Sequence, residues 1–292
     1  MIDSIRAKTG GTIREICRVL DISRSSYYHA ATETPTVASD RELSAVIVGI
    51  FNKHRRRYGY RRRYGYRRIA SDLDDLGLTC APARVRRLMA ENGLRALQPK
   101  SFAPKTSDGR ADAPSPNLIA GEPLPTSPGR AWAGDITHIP IDGGWAYLAV
   151  VIDLCTRQIV GWSLADNLRA GLVTAALGQA LETRAVGPGL IFHSDRGSQY
   201  GSRIFREQLA GKSASQSMSG RANPYDNAWT ESVIGTIKLE MIQDGPFEDL
   251  ETARTAIFDY IDGYYNTQRK HSSLGYITPN QCERNLNKLT LN

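Results

Sequence analysis

Residues 131 to 195 constrain the fold most strongly, because β-rich runs alternate there with one amphipathic helix. Three runs come first, separated by turn signals at 142–144 and 153–157; they are AWAGDITHIPI, GWAYLAVVID and RQIVGWSLAD. The segment LRAGLVTAALGQALETR then has the apolar spacing of a helix, and GLIFHSD reads as a short buried strand. An antiparallel meander followed by a helix and another strand predicts an α/β fold of the ribonuclease-H-like type.

Residues 100–130 separate this segment from a region of different character. The stretch carries six prolines and few large apolar residues, which is typical of a linker. Before it the patterns are helical. We therefore expect three parts, namely an all-helical region at 1–99, the linker at 100–130, and an α/β core with a C-terminal helical extension at 131–292.

Two helical pairs are predicted within residues 1–99. In the first, an apolar stripe that starts at Ile13 breaks near Asp21, and the restart places Arg24 early in a second helix, as in a helix-turn-helix. The second pair covers 67–77 and 81–93, and its basic residues lie largely off the apolar face; these are Arg84, Arg86 and Arg87. A hairpin used only for packing, or a solvated basic face, remains the alternative for each pair.

The distribution of charge favours DNA as the partner of the helical region. The chain has a net charge of +7, but residues 1–100 hold 20 Lys+Arg against 10 Asp+Glu, whereas the remainder holds 17 against 20. A basic first part joined to a faintly acidic second part indicates that the first part meets phosphate. We therefore predict DNA contacts for Arg24, Arg84, Arg86 and Arg87.

The cysteine pattern and the apolar runs argue against several classes of protein. The four cysteines form no CxxC pair, so neither a disulfide framework nor a zinc site is predicted. The longest apolar run, at 145–152, is far shorter than the roughly 20 residues of a membrane helix, and the start of the chain lacks the apolar region of a signal peptide. We expect a cytosolic protein without a membrane partner.

Three carboxylates occupy positions that suggest a catalytic role. Asp135 lies inside the first strand, Asp195 ends the strand GLIFHSD, and Glu231 lies early in the predicted helix NAWTESVIGTIKLEMI. Each has a plain alternative, as an edge-strand charge, a turn cap or a favourable acid in a first helical turn. Together, two strand aspartates and a helical glutamate supply the oxygen ligands that a pair of Mg²⁺ ions needs over a scissile phosphate.

The spacing of these residues and the sequence segments around them resemble those of a known family. Between Asp195 and Glu231 lie 35 residues, and Lys238 follows seven positions later on the same helical face. This pattern is similar to that of the retroviral-integrase-like DDE transposases. The segments DITHIP, YLAVVIDLCTRQIVGW, HSDRGSQY, SMSGRANPYDNAWTESVIGTIKLE and AIFDYIDGYYNTQRKHSSLGYITP resemble the catalytic subunit of the insertion-sequence-three family. YGYRRI and RVRRLMAENGLRA resemble its helix-turn-helix region.

The resemblance implies a ribonuclease-H-like core with a mixed five-stranded sheet and Asp135, Asp195 and Glu231 as its metal-binding triad. It implies two Mg²⁺ ions per active site, for which Mn²⁺ can substitute. The reaction would be nicking at the ends of a mobile element, then attack of the freed 3′-hydroxyl on a target strand, with Lys238 touching DNA. The family also implies terminal inverted repeats and target DNA as partners, a homo-multimer on paired ends, and an upstream-frame protein or frameshift fusion. The chain would act in the bacterial cytoplasm, at the nucleoid.

Further residues are candidates for supporting roles. His193 lies on the same strand face as Asp195 and is predicted either to orient a water or phosphate or to be a packed histidine. A turn-rich loop before the Glu231 helix is suited to contacting DNA or to capping the helix; its residues are Asn223, Tyr225 and Asn227, with Asp226 as the rival acid. Arg269 and His271 form a basic cluster that contacts phosphate or is solvated.

The chain also departs from the family pattern in two places. Gly134 stands where a hydroxyl residue commonly precedes the first catalytic aspartate. The region from Lys212 to Ser217 is looser than the usual glycine-isoleucine entry into a strand. Neither departure removes a predicted ligand. The zinc-binding histidine and cysteine set at the start of retroviral integrases is missing from this sequence, which separates it from those proteins. Two other functions stay open at this point, a nuclease of the same fold that does not join strands, and a non-catalytic DNA-binding regulator of element ends.

The hexapeptide RRRYGY occurs twice in succession, at 55–60 and 61–66. Only the second copy fits the family pattern, so the first is interpreted as a tandem duplication in a surface connection, where six extra residues add about a few tenths of a kcal/mol in loop closure. We expect deletion of the first copy to leave catalysis intact and to lower the salt dependence of DNA binding.

Overall fold

A computed structural model gives the architecture of the chain. It describes residues 10–20, 35–54, 65–95, 114–220, 227–242 and 245–290. The chain divides into two compact units, one holding the described residues up to 95 and the other those from 114 onward. Among the described helices, none combines the length and the apolar character needed to cross a membrane.

Four helices lie in the described part of the first unit. Helix α1 (Ile13–Val19) begins at Thr12, whose hydroxyl accepts from the Glu15 amide while the Glu15 carboxylate reaches back, a capping box. Helices α2 (Pro35–Lys53), α3 (Tyr66–Asp75) and α4 (Pro82–Glu91) bury one shared apolar cluster. The predicted helices at 67–77 and 81–93 are thus confirmed. The partner helix of the first predicted pair, with Arg24, lies outside the described residues.

The second unit is organised around one sheet. Its strands are β1 (Ala131–Ile141), β2 (Gly144–Asp153), β3 (Ile159–Ala165), β4 (Ile191–Ser194) and β5 (Ser215–Met218). The spatial order is β3-β2-β1-β4-β5, with antiparallel pairing among the first three strands and parallel pairing from β1 to β4 and from β4 to β5. This mixed five-stranded sheet, with helices on both faces, confirms the ribonuclease-H-like fold class.

Helices cover the two faces of the sheet. Helices α5 (Ala170–Thr183) and α6 (Arg203–Ala210) pack on one face, and α7 (Ala228–Met241) and α8 (Leu250–Tyr260) pack on the other. The chain continues from α8 into a π-helical turn at Ile261–Tyr265, a 3₁₀ turn at Ser272–Leu274, and helix α9 (Pro279–Thr290). The Asn266 side chain bonds both the amide and the carbonyl of Ile159, which fastens this C-terminal segment to β3.

Residues 114–130, within the predicted linker, contact the core directly. The carbonyl of Pro116 accepts from the amide of Met218, and the amide of Leu118 donates to the hydroxyl of Ser217. The amide of Gly129 donates to the carboxylate of Asp153. This segment therefore follows the edge of β5 before it enters β1.

Gly161 on β3 sets how closely α5 approaches the sheet. A Cβ atom built on Gly161 would overlap the Ala176 carbonyl oxygen and lie 2.9 Å from Ala180 Cβ. We expect Gly161→Ala to lower the free energy of unfolding by about 1–3 kcal/mol, because the rigid helix backbone must shift. Gly171→Ala, at a helical position with open space around it, is the control, expected to be neutral or stabilising by up to about 1 kcal/mol. Denaturant unfolding compares the two, and equal effects would contradict the assigned contact.

Candidate active site

The pairing register between β1 and β4 places two aspartates directly opposite each other on neighbouring strands. Ala131 pairs with Ile191 and Ala133 with His193 in the parallel ladder. Continuing this register two residues further places Asp135 opposite Asp195, which directly follows the last residue of β4. Neighbouring strands lie about 4.8 Å apart, and side chains at the same level point to the same face. The two carboxylates therefore belong to one face of the sheet, on the side covered by α7.

Asp135 is held in a buried position that makes its negative charge unfavourable. The side chain is 9% exposed, and one carboxylate oxygen accepts from the Ile136 amide at 2.8 Å. Burial raises the pKa of Asp135 to about 7, and the negative charges of Asp195 and Glu231 add to this effect. Lys238 acts in the opposite direction. All three predicted carboxylates are thus close enough to repel one another.

Asp195 is oriented by the turn that follows β4. The amide of Gly197 donates to its Oδ1 at 2.9 Å. A Cβ atom on Gly197 would lie 3.0 Å from both Asp195 Oδ1 and Gln199 Oε1, so a larger residue would crowd the carboxylate. A cleft of about 120 Å³ lies between Asp135 and Asp195; Ile136, His138, Gln199 and Tyr200 also line it.

Helix α7 contributes Glu231 and Lys238 to the same region. Apolar residues of α7 pack into the core beneath the sheet, and they include Val233, Ile234 and Ile237. Glu231, in the first turn, is exposed. Lys238 is half-buried, and burial lowers its pKa while Asp135 raises it. Within the described ranges, no three His, Cys, Asp or Glu side chains already converge on a metal position, so the carboxylates face one region without closing around a single point.

His193 is a packed residue that joins two strands. It is fully buried, with Nδ1 2.9 Å from the Ser217 hydroxyl and Nε2 3.1 Å from the Ser219 hydroxyl. Both ring nitrogens therefore have partners on or next to β5. The packed alternative from the sequence fits this position better than a role in orienting a water or a phosphate.

The predicted phosphate contacts of Arg269 and His271 need correction. Arg269 is 4% exposed, and its guanidinium binds both carboxylate oxygens of Glu240 at 3.0–3.1 Å. His271 is also buried and packs edge-on against the Tyr265 ring. A buried cation needs an opposite charge, and Glu240 supplies it. The buried ion pair between Arg269 and Glu240 therefore fixes the C-terminal segment to α7. Glu240 was missed because no local pattern marks an acid whose partner lies 29 residues away.

Two of the three arginines on α4 form ion pairs, and the third is exposed. Arg84 Nε and Arg87 Nη2 each donate to a carboxylate oxygen of Asp40 at 2.6 Å, and Arg87 also pairs with Glu91. Arg86 is exposed, and no ion pair joins it to another residue in the described part of the chain. Arg86 is thus the α4 cation best placed to meet phosphate.

The loop before α7 is described only at its end. Asn227 is 6% exposed, and its side-chain oxygen accepts from the Thr230 hydroxyl at 2.5 Å. Asn227 occupies the N-cap position of α7, but its side chain bonds the Thr230 hydroxyl and not a backbone amide of the first turn. Asn223, Tyr225 and Asp226 lie outside the described residues.

Packing explains why a glycine, and not a larger residue, precedes Asp135. A Cβ atom on Gly134 would lie 2.6 Å from Phe192 Cζ and 3.3 Å from the Tyr200 hydroxyl oxygen. The Phe192 ring cannot swing away easily, because it packs against Tyr200 and Phe205 with ring centroids 6.1 and 5.1 Å apart. The aromatic side chains beneath the strand therefore occupy the space that a hydroxyl side chain at 134 would use.

Comparisons with known proteins agree with this geometry. Two models described as "Integrase core domain" match residues 125–224 and 212–279, and one described as "HTH-like domain" matches 38–102. The chain is similar to a chain in a cryoEM structure of the simian T-cell lymphotropic virus intasome in complex with PP2A regulatory subunit B56 gamma, at 16% identity and a TM-score of 0.46 over 73% of this chain and 70% of that one. It is also similar to the HTLV-2 integrase catalytic core domain in complex with magnesium, at 18% identity and a TM-score of 0.40 over 54% of this chain and 97% of that one. The fold assignment rests on the sheet topology and the family models.

Relatives of known name share much more sequence with the chain. The transposase for insertion sequence element IS904 of Lactococcus lactis subsp. lactis (strain IL1403) is 40% identical over 83% of this chain and 93% of the relative. Transposase InsF for insertion sequence IS3A of Escherichia coli (strain K12) is 33% identical over 93% of this chain and 94% of the relative. These matches span both units. The chain belongs to the insertion-sequence-three (IS3) family of transposases.

Proposed function

We propose that this chain is a Mg²⁺-dependent DNA transposase that nicks the ends of an insertion sequence and joins the freed 3′-hydroxyl to a target strand. One observation supports the proposal more than any other. Asp135 and Asp195 lie opposite each other on adjacent strands, and they face the helix that carries Glu231. Family membership supports the reaction class, because the relatives are transposases.

The chemistry of the three side chains suits a pair of hard divalent cations. Mg²⁺ and Mn²⁺ prefer carboxylate oxygens, and Asp135, Asp195 and Glu231 would supply them. The raised pKa of Asp135 reflects burial and repulsion among these carboxylates, which positive charge would relieve. Glu231 is exposed, so a change of rotamer is available to bring it toward the aspartates. Two bound ions supply activation of the attacking water or 3′-hydroxyl and stabilisation of the leaving oxygen.

The chain's own residues would then place the DNA. Lys238, half-buried beside Asp135, would contact a backbone phosphate next to the reacting one and hold the strand against the carboxylates. The helical unit would supply affinity for the element ends through Arg86 on α4 and the exposed Arg67 on α3. In the proposal, the protein acts as a homo-multimer on paired inverted repeats at the bacterial nucleoid, alone or with an upstream-frame partner.

We expect Arg86→Gln to reduce the salt dependence of DNA binding. Loss of one phosphate contact should lower the slope of log K against log salt by about 0.9 in magnitude, with little change in sequence preference. Fluorescence anisotropy across a salt series measures the slope. Arg203→Gln, at a 90% exposed arginine of the other unit, is the matched control. An equal fall in both variants, or in neither, would count against a specific Arg86 contact.

A joining assay separates this function from the two alternatives. End-labelled DNA carrying the inverted repeats that flank the gene is incubated with the protein, Mg²⁺ and a target plasmid. Joined products support the proposal, cleavage alone supports a nuclease of the same fold, and binding without either supports a regulator. The glutamate is tested by Glu231→Gln against Asp226→Asn; if Asp226→Asn lost joining and Glu231→Gln kept it, the glutamate assignment would be wrong.

A further inference from the structure

Tyr200 is a buried residue whose hydroxyl the proposed reaction does not yet use. The residue follows Asp195 by five positions and is 2% exposed. Its backbone carbonyl accepts from Gln216 Nε2, whereas its hydroxyl has no hydrogen-bond partner among the residues that the structure describes. The hydroxyl oxygen is not one of the enclosed unpaired side-chain atoms in the described part of the chain, so it is reached from the cleft that the residue lines. Tyrosine hydroxyls in such positions usually take a partner, and this donor is available to a group that enters the cleft.

The hydroxyl opens into the carboxylate cleft. Tyr200 lines the cleft of about 120 Å³ together with Asp135 and Asp195. Its oxygen lies 3.3 Å from the position that a Cβ atom on Gly134 would take, next to Asp135 in the chain. Because neighbouring side chains on β1 point to opposite faces, the donor borders the cleft from the side of β1 that α5 and α6 cover, and it stands on the same loop as Asp195.

The surroundings fix both the position and the protonation state of this group. The Tyr200 ring packs edge-on against Phe205 at 5.4 Å and lies 6.1 Å from Phe192, so the phenol has little freedom to rotate away. Burial raises the pKa of Tyr200 well above its usual value, and the charges of Asp135 and Asp195 raise it further. The hydroxyl therefore remains protonated at neutral pH and acts as a donor.

The cleft restricts what the donor can meet. Two carboxylates line it, so an anion enters only when cations offset their charge, which is the condition under which the proposed reaction operates. A DNA phosphate held there presents non-bridging oxygens as strong hydrogen-bond acceptors. Gly134 leaves room for the tyrosine hydroxyl itself, since a Cβ atom at this position would lie 3.3 Å from its oxygen.

We propose that Tyr200 is a positioning residue whose hydroxyl donates a hydrogen bond to a non-bridging oxygen of the scissile phosphate in the cleft between Asp135 and Asp195. This inference rests on the proposed function and adds to it a residue that orients the substrate without binding metal. Hydrogen bonds to charged groups are strong enough that losing this one should slow joining by about 10–100-fold.

Tyr200→Phe tests the inference because it removes only the hydroxyl. We expect single-turnover joining at saturating DNA to slow about 10–100-fold, with Mn²⁺ affinity by calorimetry unchanged and the melting temperature unchanged or higher. Tyr276→Phe, which removes a hydroxyl from the C-terminal segment, should behave as the wild type. Unaltered joining in Tyr200→Phe, or a fall in Mn²⁺ affinity that accounts for its slow joining, would overturn the inference.

A sulfur-substituted substrate distinguishes contact with the phosphate from a structural effect. Each phosphorothioate stereoisomer at the scissile position is assayed with Mn²⁺. One stereoisomer should slow the wild type more than it slows Tyr200→Phe, because the variant has no hydrogen bond left to weaken. Equal sulfur effects in both proteins, for both stereoisomers, would overturn the inference. Asp135→Asn serves as the check on the proposed function itself: if it joins strands normally, that function fails, whatever Tyr200→Phe does.

Discussion

Asp135→Asn is expected to abolish strand joining, with a loss of about 10³-fold or more. The substitution keeps the size of the side chain but removes one of the two strand carboxylates that would bind both cations, and metal-ion catalysis contributes several kcal/mol of charge stabilisation. The joining assay measures the loss. Asp142→Asn, at an exposed aspartate beyond the end of β1, is the control and should retain full activity. An Asp135→Asn protein with more than a tenth of wild-type activity would refute the assigned role.

The same substitution should stabilise the metal-free protein, and the effect should depend on pH. The pKa of Asp135 is raised from its ordinary value of 3.8 to about 7 in the folded chain. The folded state therefore holds this proton more tightly than the unfolded state, so ionisation of Asp135 costs stability as pH rises. The gain from asparagine should be close to zero near pH 4, grow between pH 4 and 7, and level off above pH 7 at roughly 2–4 kcal/mol.

Denaturant unfolding in EDTA at pH 5 and pH 8 measures this gain. Addition of Mg²⁺ at pH 8 should reduce the difference between the two proteins, because the cation stabilises only the wild-type site. A stability difference that is equal at both pH values would show that ionisation of Asp135 does not destabilise the folded protein.

Glu240→Ala should destabilise the second unit by about 3–5 kcal/mol. The substitution leaves the Arg269 guanidinium buried without a counter-charge, and it also removes the acceptor of the Tyr260 hydroxyl, which lies 2.7 Å from Glu240 Oε2. Thermal unfolding followed by circular dichroism measures the loss. Glu251→Ala, which removes the 77% exposed partner of Arg254, should cost less than about 1 kcal/mol.

A double variant separates the ion pair from the packing around it. Glu240→Met combined with Arg269→Met replaces both charges by apolar groups and should recover most of the stability lost in Glu240→Ala. If the double variant is as unstable as the single one, the loss comes from the hydrogen bonds that Glu240 accepts, including the one from Tyr260, and not from an unpaired charge. Because Glu240 lies two residues beyond Lys238 on α7, weakened joining in a folded variant would link this ion pair to the site.

The strands and helices with strong periodicity could be predicted from the sequence. The runs that became β1, β2 and β3 alternate or bury β-branched residues and are separated by turns at 142–143 and 154–158, and the helix at α5 shows a clear apolar face. The strand β5 has the sequence SQSM and no such signal. It is a strand because its backbone pairs with β4 and its Ser217 hydroxyl bonds His193, which are long-range contacts that local patterns do not carry.

The candidate site could be predicted only as far as residue type and spacing allow. Asp135, Asp195 and Glu231 stood out because acids are unusual at a strand centre and a strand end and because their spacing matched a family pattern. The roles of Arg269 and Tyr200 could not be predicted, since they depend on what lies next to these residues in space. A basic residue in the sequence TQRKHSS looks solvated until its partner on α7 is known, and a tyrosine after Asp195 looks like ordinary core.

The register of β1 and β4 also governs how sequences of this family can change length over evolutionary time. An insertion of one residue inside β1, before Asp135, would turn that carboxylate to the opposite face and separate it from Asp195. An insertion in the connections between Ala165 and Ile191 would leave both carboxylates level, because the ladder fixes them independently of the path between the strands. Gains and losses of residues should therefore accumulate in the connections, while the spacing from Ala131 to Asp135 and from Ile191 to Asp195 stays constant in lineages that still transpose.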